Sequence, residues 1–351
     1  MQLESIIKQI RPLDETAMQS ARARQDMLTK PRGSLGRLEE LSIQLAGITA
    51  NPFPSVERKT VIVMAADHGV ALEGVSAYPA EVTSQMVSNF LRGGAAINVL
   101  ARQANARVVV VDLGVASEIE DASGELIRRK IGLGTANLAQ GPAMTREQAM
   151  ESIQSGIEIG EAEIAQGVEI LATGDMGIGN TTPSAAIACA LMNQSPAKIA
   201  GRGTGVDDDG LKRKIAVISR ALDVNKPDGN DALDVLAKVG GFEIGGLAGV
   251  MLAAAANRKP VVVDGFISTA AAMIARSLAP AARDYMIAAH VSQERGHKLM
   301  LEWLGLNPLL DMNLRLGEGT GAALAFHLIE ASTRILREMA TFDEAGVSDK
   351  E

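Results

Sequence analysis

A glycine-rich stretch, TGDMGIGNTTPSAAI at residues 173–187, has side chains and a spacing that could bind phosphate. Residues 174–181 give the pattern G-x-x-x-x-G-N-T, whereas the ATP-binding phosphate loop requires G-x-x-x-x-G-K-[ST]. The missing lysine argues against a nucleoside triphosphate. The hydrogen-bond donors from Gly179 to Thr182, followed by the N-terminus of an Ala-rich segment, suit one phosphate group. The stretch therefore predicts a monophosphate site.

Three other stretches combine glycines with a following helical pattern. For GGFEIGGLAGVMLAAAA, at residues 240–256, we favour tight helix packing over ligand binding. In GRGTGVDDDGLKRK, at residues 201–214, three consecutive acids could hold Mg²⁺, but we favour an N-cap and an acidic first turn. Lys214 in that stretch could reach a phosphate, although most such lysines face solvent. The third stretch, LGEGTGAALAFHLIEA, contains the acid considered next.

Glu318 is the first candidate for a general base. It stands between Gly317 and Gly319, where a ligand can come close, and leucines precede it. Apolar surroundings would raise its pKa, while the helix that follows would favour the anion. A simple helix-start acid is the alternative interpretation. Asp175 is a second candidate, because the end of a strand would place it at the same edge of the sheet.

Other chemistry-bearing residues give weaker patterns. Asp67, His68 and Asp112 also follow apolar runs, so a metal site formed with Asp175 is conceivable. The remaining histidines show no metal-ligand spacing, and we predict no metal site. No G-x-S-x-G motif is present. We interpret Cys189, Met300 and His327 as packing residues, and His290 and His297 are the other two histidines without metal-ligand spacing.

Composition limits the possible partners. The 351 residues have a net charge of −8 and no basic run, so neither nucleic acid nor a membrane surface is predicted as a partner. The only cysteine excludes an internal disulfide framework. Residues 1–10 contain an acid and no long apolar core, which argues against a secretory signal. The longest apolar run, residues 247–256, is too short for a membrane span. We expect a cytoplasmic protein.

Short apolar runs provide the elements that position these residues. TVIVMAA, RVVVV, EILA, PVVV and RDYMIAA are each followed by a polar or glycine-rich turn, and most lead into an Ala-rich helical segment. Such a rhythm predicts an α/β fold, a Rossmann-like parallel sheet flanked by helices. Ligands then bind outside the carboxyl ends of the strands. We predict a large domain at residues 55–290 and a small helical domain from residues 1–54 with 291–351.

The motifs together resemble one family, that of nicotinate-nucleotide–dimethylbenzimidazole phosphoribosyltransferase. They occur in family order and span almost the whole chain. They are KPRGSLGRLEEL (30–41), AADHGV (65–70), GDMGIGNTTPSAA (174–186), GRGTGVDDDGL (201–211), GGFEIGGLAG (240–249) and LDMNLRLGEGTGAALA (310–325).

The resemblance implies transfer of phosphoribose from nicotinate mononucleotide to 5,6-dimethylbenzimidazole. The products are α-ribazole 5′-phosphate and nicotinate, for the lower ligand of cobalamin, with inversion at C1′. The pyridinium leaving group needs no proton, whereas the acceptor imidazole must lose one. The resemblance implies no cofactor, and a homodimer whose partner completes each site.

The resemblance also implies roles for individual residues. Glu318 stands at the position of the catalytic glutamate, and Asp175, a possible auxiliary, replaces the glutamate that is frequent in the family. The remaining implied contacts are with phosphate and ribose (Gly177, Ile178, Gly179, Asn180, Thr181, Gly203, Gly205, Lys214, Arg315) and with the aromatic base (Tyr78, Gln85, Leu316).

Two alternatives remain open at the level of sequence. A Mg²⁺-dependent phosphotransferase or phosphatase would use Asp67, Asp112, Asp175 and residues 207–209. A non-catalytic protein would bind a mononucleotide, or metabolites that resemble benzimidazole, without forming a product.

Overall fold

A parallel sheet forms the centre of the protein. The computed structural model describes residues 2–121 and 123–348. Within these residues, six strands pair in the order β3-β2-β1-β4-β5-β6, and all neighbours are parallel. They are β1 (Lys59–Ala66), β2 (Ala106–Gly114), β3 (Ile127–Arg128), β4 (Ile170–Met176), β5 (Val261–Val263) and β6 (Met286–Ala288). This strand order is that of a doubly wound Rossmann-like sheet, which confirms the predicted fold class.

The five apolar runs in the sequence supply five of these strands. All eight residues of β1 are buried, because helices cover both faces of the sheet. Side chains alternate along the strand: Ile62 and Met64 enter one hydrophobic core, and Val61 and Val63 enter the other. The apolar runs did not predict β3, because its two residues lie in a largely polar stretch.

Helices form a layer on each face. The described residues contain α1 (Gln2–Gln9), α2 (Glu15–Met27), α3 (Arg37–Thr49), α4 (Val82–Leu91), α5 (Ala96–Gln103), α6 (Arg146–Ala165), α7 (Thr181–Met192), α8 (Pro196–Ile199), α9 (Asp208–Asn225), α10 (Ala232–Val239), α11 (Phe242–Ala256), α12 (Phe266–Leu278), α13 (His297–Leu304), α14 (Thr320–Glu338) and α15 (Phe342–Ala345). One core includes α6, α7, α10, α11 and α12, and the other includes α3, α4, α5 and α14. None of the described helices is long and apolar enough to cross a membrane.

Helices from the two ends of the chain meet. α2 packs on α3, and α3 packs on α14. α14 also contacts β4 and β5, so the C-terminal segment is attached directly to the sheet. The division into residues 55–290 and residues 1–54 with 291–351 stays a prediction.

The glycines of α6 and α11 allow these two helices to approach backbone to backbone. A methyl group added at Gly156 of α6 would overlap the carbonyl oxygen of Gly246 in α11. One added at Gly249 would overlap the carbonyl oxygen of Ile153. These contacts agree with the packing interpretation of residues 240–256.

Replacing Gly156 by alanine tests this close approach. The added methyl group forces the helices apart, and the lost packing outweighs the better helix propensity of alanine. We expect the free energy of unfolding, measured by urea denaturation, to fall by about 1–3 kcal/mol. Gly141→Ala is the control, because nothing lies within 4 Å of its added methyl group. Equal stability of the two variants would contradict the packing argument.

Candidate active site

The candidate site lies at the carboxyl ends of β1, β4 and β5. Strand order reverses between β1 and β4, and a doubly wound sheet opens a ligand crevice at that point. The loop before α14 closes one side of this crevice. It packs on β4 so tightly that a methyl group added at Gly174 would overlap the carbonyl oxygen of Glu318.

Glu318 adopts a left-handed backbone conformation. Its φ is +63°, and its neighbours Gly317 and Gly319 have φ of +85° and +91°. Three consecutive left-handed residues turn the chain sharply into α14, and only the middle one carries a side chain. A non-glycine residue is uncommon in this conformation. The strained turn thus presents one carboxyl group at the crevice.

The Glu318 side chain is buried but retains one donor. Only 5% of the residue is exposed, and Oε2 accepts a hydrogen bond from the Ile97 N–H at 3.3 Å, at the start of α5. Burial raises the pKa of this carboxyl group above its usual value, the Ile97 N–H lowers it, and the charge of Asp264 raises it further. The sequence suggested that the helix after Glu318, α14, would favour its anion. The N–H that donates to Glu318 comes instead from α5. A raised pKa suits a general base.

Asp175 lies on the other side of the same turn. A methyl group added at Gly317 would be 3.2 Å from Asp175 Oδ2, and that oxygen accepts a hydrogen bond from Asn180 Nδ2 at 3.0 Å. Burial, followed by the charge of Asp264, raises the pKa of Asp175 well above its usual value. The structure thus brings together the two acids that the sequence selected.

The loop at residues 177–180 packs closely against the end of β1. A methyl group added at Gly177 would overlap the carbonyl oxygen of Ala66, and Gly179 has a φ of +90°. The Ile178 N–H donates to Thr83 Oγ1 at 3.1 Å, so this amide already has a partner. α7 begins directly after the loop, as the sequence predicts, and directs its N-terminus at the crevice.

Lys214 reaches this loop from α9. Its side chain is fully buried, and Nζ donates to Thr181 Oγ1 at 2.6 Å. Burial lowers the pKa of Lys214 to about 8, against the opposing influence of Glu294. The expectation that such a lysine faces solvent is wrong here, because α9 packs on α7 and directs the side chain inward.

The loop at residues 203–205 lies next to Lys214 and Thr181. A methyl group added at Gly203 would lie 2.8 Å from Lys214 Nζ, and the Gly203 carbonyl oxygen accepts from Arg315 Nη1 at 3.4 Å. A cavity of about 510 Å³ adjoins this loop and is lined by Gly205, Glu294 and three arginines, Arg202, Arg295 and Arg315. Asp207 also lines it, so three arginines face two acids, and the excess of positive charge suits a phosphate group.

Glu294 is a site residue that the sequence analysis missed. It is buried, and Oε1 accepts the Gly203 N–H at 2.7 Å, which fixes the 203–205 loop. Its charge also favours the protonated form of Lys214. The signal was present, since Glu294 lies in the turn HVSQERG that follows the strand run RDYMIAA.

The three residues assigned to the aromatic base lie on separate elements. Tyr78 precedes α4 and is 56% exposed, Gln85 is exposed on α4, and Leu316 precedes α14 and is 58% exposed. The loop that carries Tyr78 is attached to the loop at residues 203–205. Thr204 Oγ1 lies 3.0 Å from Ser76 Oγ and accepts the Ala77 N–H at 2.9 Å.

The aspartates of the metal alternative already have partners. Asp67 accepts the Ala116 N–H, and Asp112 accepts two amides and lies 3.0 Å from Lys130 Nζ. Asp207 caps α9 through the Gly210 N–H, which agrees with the capping interpretation of residues 207–209. Across residues 2–121 and 123–348, no three side chains of His, Cys, Asp or Glu form a group that could hold a metal ion.

The cysteine and the histidines have structural contacts. Cys189 is buried and its pKa is raised to about 12. Burial, which disfavours the charged form, lowers the pKa of His297 to about 3, so its ring is neutral. The two ring nitrogens form hydrogen bonds with the Thr269 hydroxyl and the Ser292 N–H. The packing interpretation of His327 is wrong: its ring is exposed and pairs with Gln103 on the surface, because it lies on the outer side of α14.

Known proteins share this sequence and fold. A family model described as phosphoribosyltransferase matches residues 10–347. A nicotinate-nucleotide–dimethylbenzimidazole phosphoribosyltransferase of Roseiflexus sp. (strain RS-1) is 62% identical over 348 residues, 99% of this chain and 98% of that relative. This chain belongs to the nicotinate-nucleotide–dimethylbenzimidazole phosphoribosyltransferase family. The resemblance seen in the sequence is confirmed.

Further members of the family agree. The protein of that name from Desulforudis audaxviator (strain MP104C) is 61% identical over 346 residues, 99% of this chain and 98% of that relative. The crystal structure of the nicotinate-nucleotide–dimethylbenzimidazole phosphoribosyltransferase from Thermus thermophilus is 50% identical, with a TM-score of 0.91. That match covers 96% of this chain and all of the other.

Thr204→Val tests the contact between the loop at residues 203–205 and the segment at residues 76–78. Valine has a similar shape but cannot accept the Ala77 N–H, so the segment at residues 76–78 should open more often. We expect hydrogen exchange of the Ala77 amide to accelerate by about 10-fold. Thr204→Ser keeps the hydroxyl and should exchange almost like the wild type. Unchanged exchange in the valine variant would show that other contacts hold the segment.

Proposed function

We propose that this protein transfers the phosphoribosyl group of nicotinate mononucleotide to 5,6-dimethylbenzimidazole, forming α-ribazole 5′-phosphate and nicotinate. The protein would thereby supply the lower ligand in cobalamin biosynthesis. The observation that carries the proposal is Glu318, a buried carboxyl group with a raised pKa, placed on a strained turn at the ligand crevice. Family membership supplies the substrates.

One base is sufficient for this chemistry. The bond between C1′ and the pyridinium nitrogen breaks, and its electron pair leaves with nicotinate, which takes up no proton. One nitrogen of the acceptor attacks C1′ from the opposite face, so the configuration inverts from β to α. The other nitrogen releases its proton to the ionised Glu318 carboxyl group. Asp175, whose pKa is also raised, is assigned an auxiliary role beside Glu318.

The donor phosphate is assigned to the loops at residues 177–181 and 203–205. Lys214 and Arg315 provide positive charge there, and the N-terminus of α7 adds its dipole. A monophosphate needs no lysine within the glycine loop itself, because Lys214 comes from another helix. Tyr78, Gln85 and Leu316 are assigned to the acceptor base.

We also propose a homodimer in the cytoplasm, as the resemblance implies, with the partner subunit completing each site. Sedimentation of the purified protein as a monomer at assay concentration would contradict the dimer.

Incubation of the purified protein with both substrates, with and without EDTA, tests the reaction directly. We expect α-ribazole 5′-phosphate, detected by chromatography and mass spectrometry, at equal rates in both samples. Loss of product in EDTA would favour the Mg²⁺-dependent alternative. Binding of both ligands without product would favour a non-catalytic protein.

Glu318→Gln tests the base. Glutamine keeps the shape and the contact with the Ile97 N–H but cannot take a proton, so kcat should fall by about 100-fold or more. Glu338→Gln, at the exposed C-terminal end of α14, is the control and should leave kcat unchanged. Wild-type turnover by the Glu318 variant would remove this residue from the mechanism.

Lys214 gives donor binding a pH dependence. In the free protein its pKa is about 8, so the positive charge is lost as the pH rises through that value. Because a phosphate ester is already a dianion above about pH 7, the affinity for nicotinate mononucleotide should decline from about pH 8 upward. Isothermal titration calorimetry at several pH values measures this decline.

Lys214→Met should weaken donor binding by at least about 10-fold and abolish the decline with pH. Lys212→Met is the matched control, because Lys212 lies on the same helix and pairs with Asp209 in solvent. A wild-type pH profile in the Lys214 variant would assign the titration to another group.

A further inference from the structure

Asp264 is a buried carboxyl group without a part in the reaction described above. It follows β5 directly and only 1% of it is exposed. Oδ1 accepts the Ala322 N–H at 2.9 Å, and Oδ2 accepts the Gly319 N–H at 3.2 Å. Both carboxylate oxygens thus bind backbone amides at the N-terminus of α14.

These two amides belong to the residue directly after Glu318 and to the fourth residue after it. The N-cap residue of α14 is Gly319, which has no side chain to accept the first N–H groups of the helix. The Asp264 carboxylate, at the end of β5, accepts these N–H groups instead. The contact therefore joins the end of β5 to the turn whose left-handed backbone carries Glu318.

We propose that Asp264 is a positioning residue for the transferase reaction: its carboxylate holds the N-terminus of α14 so that the Glu318 carboxyl group stays aimed at the acceptor. The proposal rests on the proposed function of Glu318. It assigns to Asp264 no contact with substrate.

The charge of Asp264 has a second effect. The titratable groups that face it are His290 after β6, whose Nε2 lies 3.8 Å from Oδ1, Asp175 in β4 and Glu318. Burial raises the pKa of Asp264, and both His290 and the α14 amides oppose this. The ionised form in turn raises the pKa of Glu318. Asp264 thus keeps Glu318 a stronger base as well as holding its backbone.

Asp264→Asn is the test variant. Asparagine has nearly the same shape, but only its oxygen can accept an amide, and its NH₂ group must face the other N–H. We expect kcat to fall by about 10-fold or more, with KM for nicotinate mononucleotide within about 3-fold of the wild type. The phosphate loops are separate from this contact, so donor binding should remain.

A double-mutant cycle with Glu318→Gln distinguishes positioning from a general loss of structure. If Asp264 acts through Glu318, adding D264N to E318Q should lower the remaining kcat by less than about 3-fold. Multiplication of the two single effects would overturn the proposal. Asp112→Asn is the matched control, since Asp112 is buried at the end of β2 and also accepts two backbone amides. Its effect should multiply with that of E318Q.

The pH profile provides an independent measurement. With the neighbouring negative charge removed, Glu318 ionises at lower pH, so the acid limb of kcat in D264N should move to lower pH. No movement, or movement to higher pH, would contradict the proposal. The Asp112 variant should keep the wild-type limb.

Two outcomes of folding are also decisive. If D264N does not bind nicotinate mononucleotide or lacks the wild-type circular dichroism, Asp264→Ser, which keeps one oxygen acceptor, enters the same cycle. If neither variant folds, Asp264 is a folding residue and the proposal fails. Failure of the proposed function is distinct, because the wild-type protein itself would then form no α-ribazole 5′-phosphate.

Discussion

Carboxyl groups lose hydration when they are taken out of water, and the crevice of this protein buries three of them, Asp175, Asp264 and Glu318. Each of them accepts hydrogen bonds within the protein. Asp175 accepts one from the side-chain amide of Asn180, Asp264 accepts two from backbone amides of α14 and its N-cap, and Glu318 accepts one from the Ile97 N–H. Because the three acids do not all accept the same number of hydrogen bonds, their pKa values differ. Asp264 accepts the most backbone amides, and these amides oppose the rise that burial causes in its pKa. Its charge in turn raises the pKa of Asp175 and of Glu318.

The segments that form the crevice pack very closely against one another, and glycines make this possible. Gly174 and Gly317 leave room for the turn at Glu318, as Gly203 does for Lys214 and Thr181. The same property packs α6 against α11 on the face of the sheet. A chain with only 3% aromatic residues therefore builds its core from close helix contacts rather than from large side chains.

The sequence predicts the parts of the structure that depend on local pattern. Strands β1, β2, β4, β5 and β6 are continuous apolar runs, and Glu318 stands out because glycines flank it. β3, Thr204 and the roles of Glu294 and Asp264 could not be predicted in this way, although both acids follow apolar strand runs. Their roles arise from contacts between elements distant in the chain, such as Asp264 with Ala322, 58 positions later. Lys214 shows the same limit, since its burial depends on the packing of α9 against α7.

The arrangement separates binding from reaction. Positive charge from Lys214 and the arginines is concentrated at the 203–205 loop, and the acids lie at the ends of β4 and β5. In the proposed reaction, a phosphate held at the first place fixes the ribose, so C1′ is presented to the acids without further loss of freedom. The negative charge of the ionised Glu318 carboxyl group favours the positive charge that develops at C1′ as nicotinate leaves. Binding energy from the unreactive phosphate is thereby used to orient the reacting carbon. Thr204 connects the 203–205 loop to the segment at residues 76–78, which the same proposal assigns to the acceptor base.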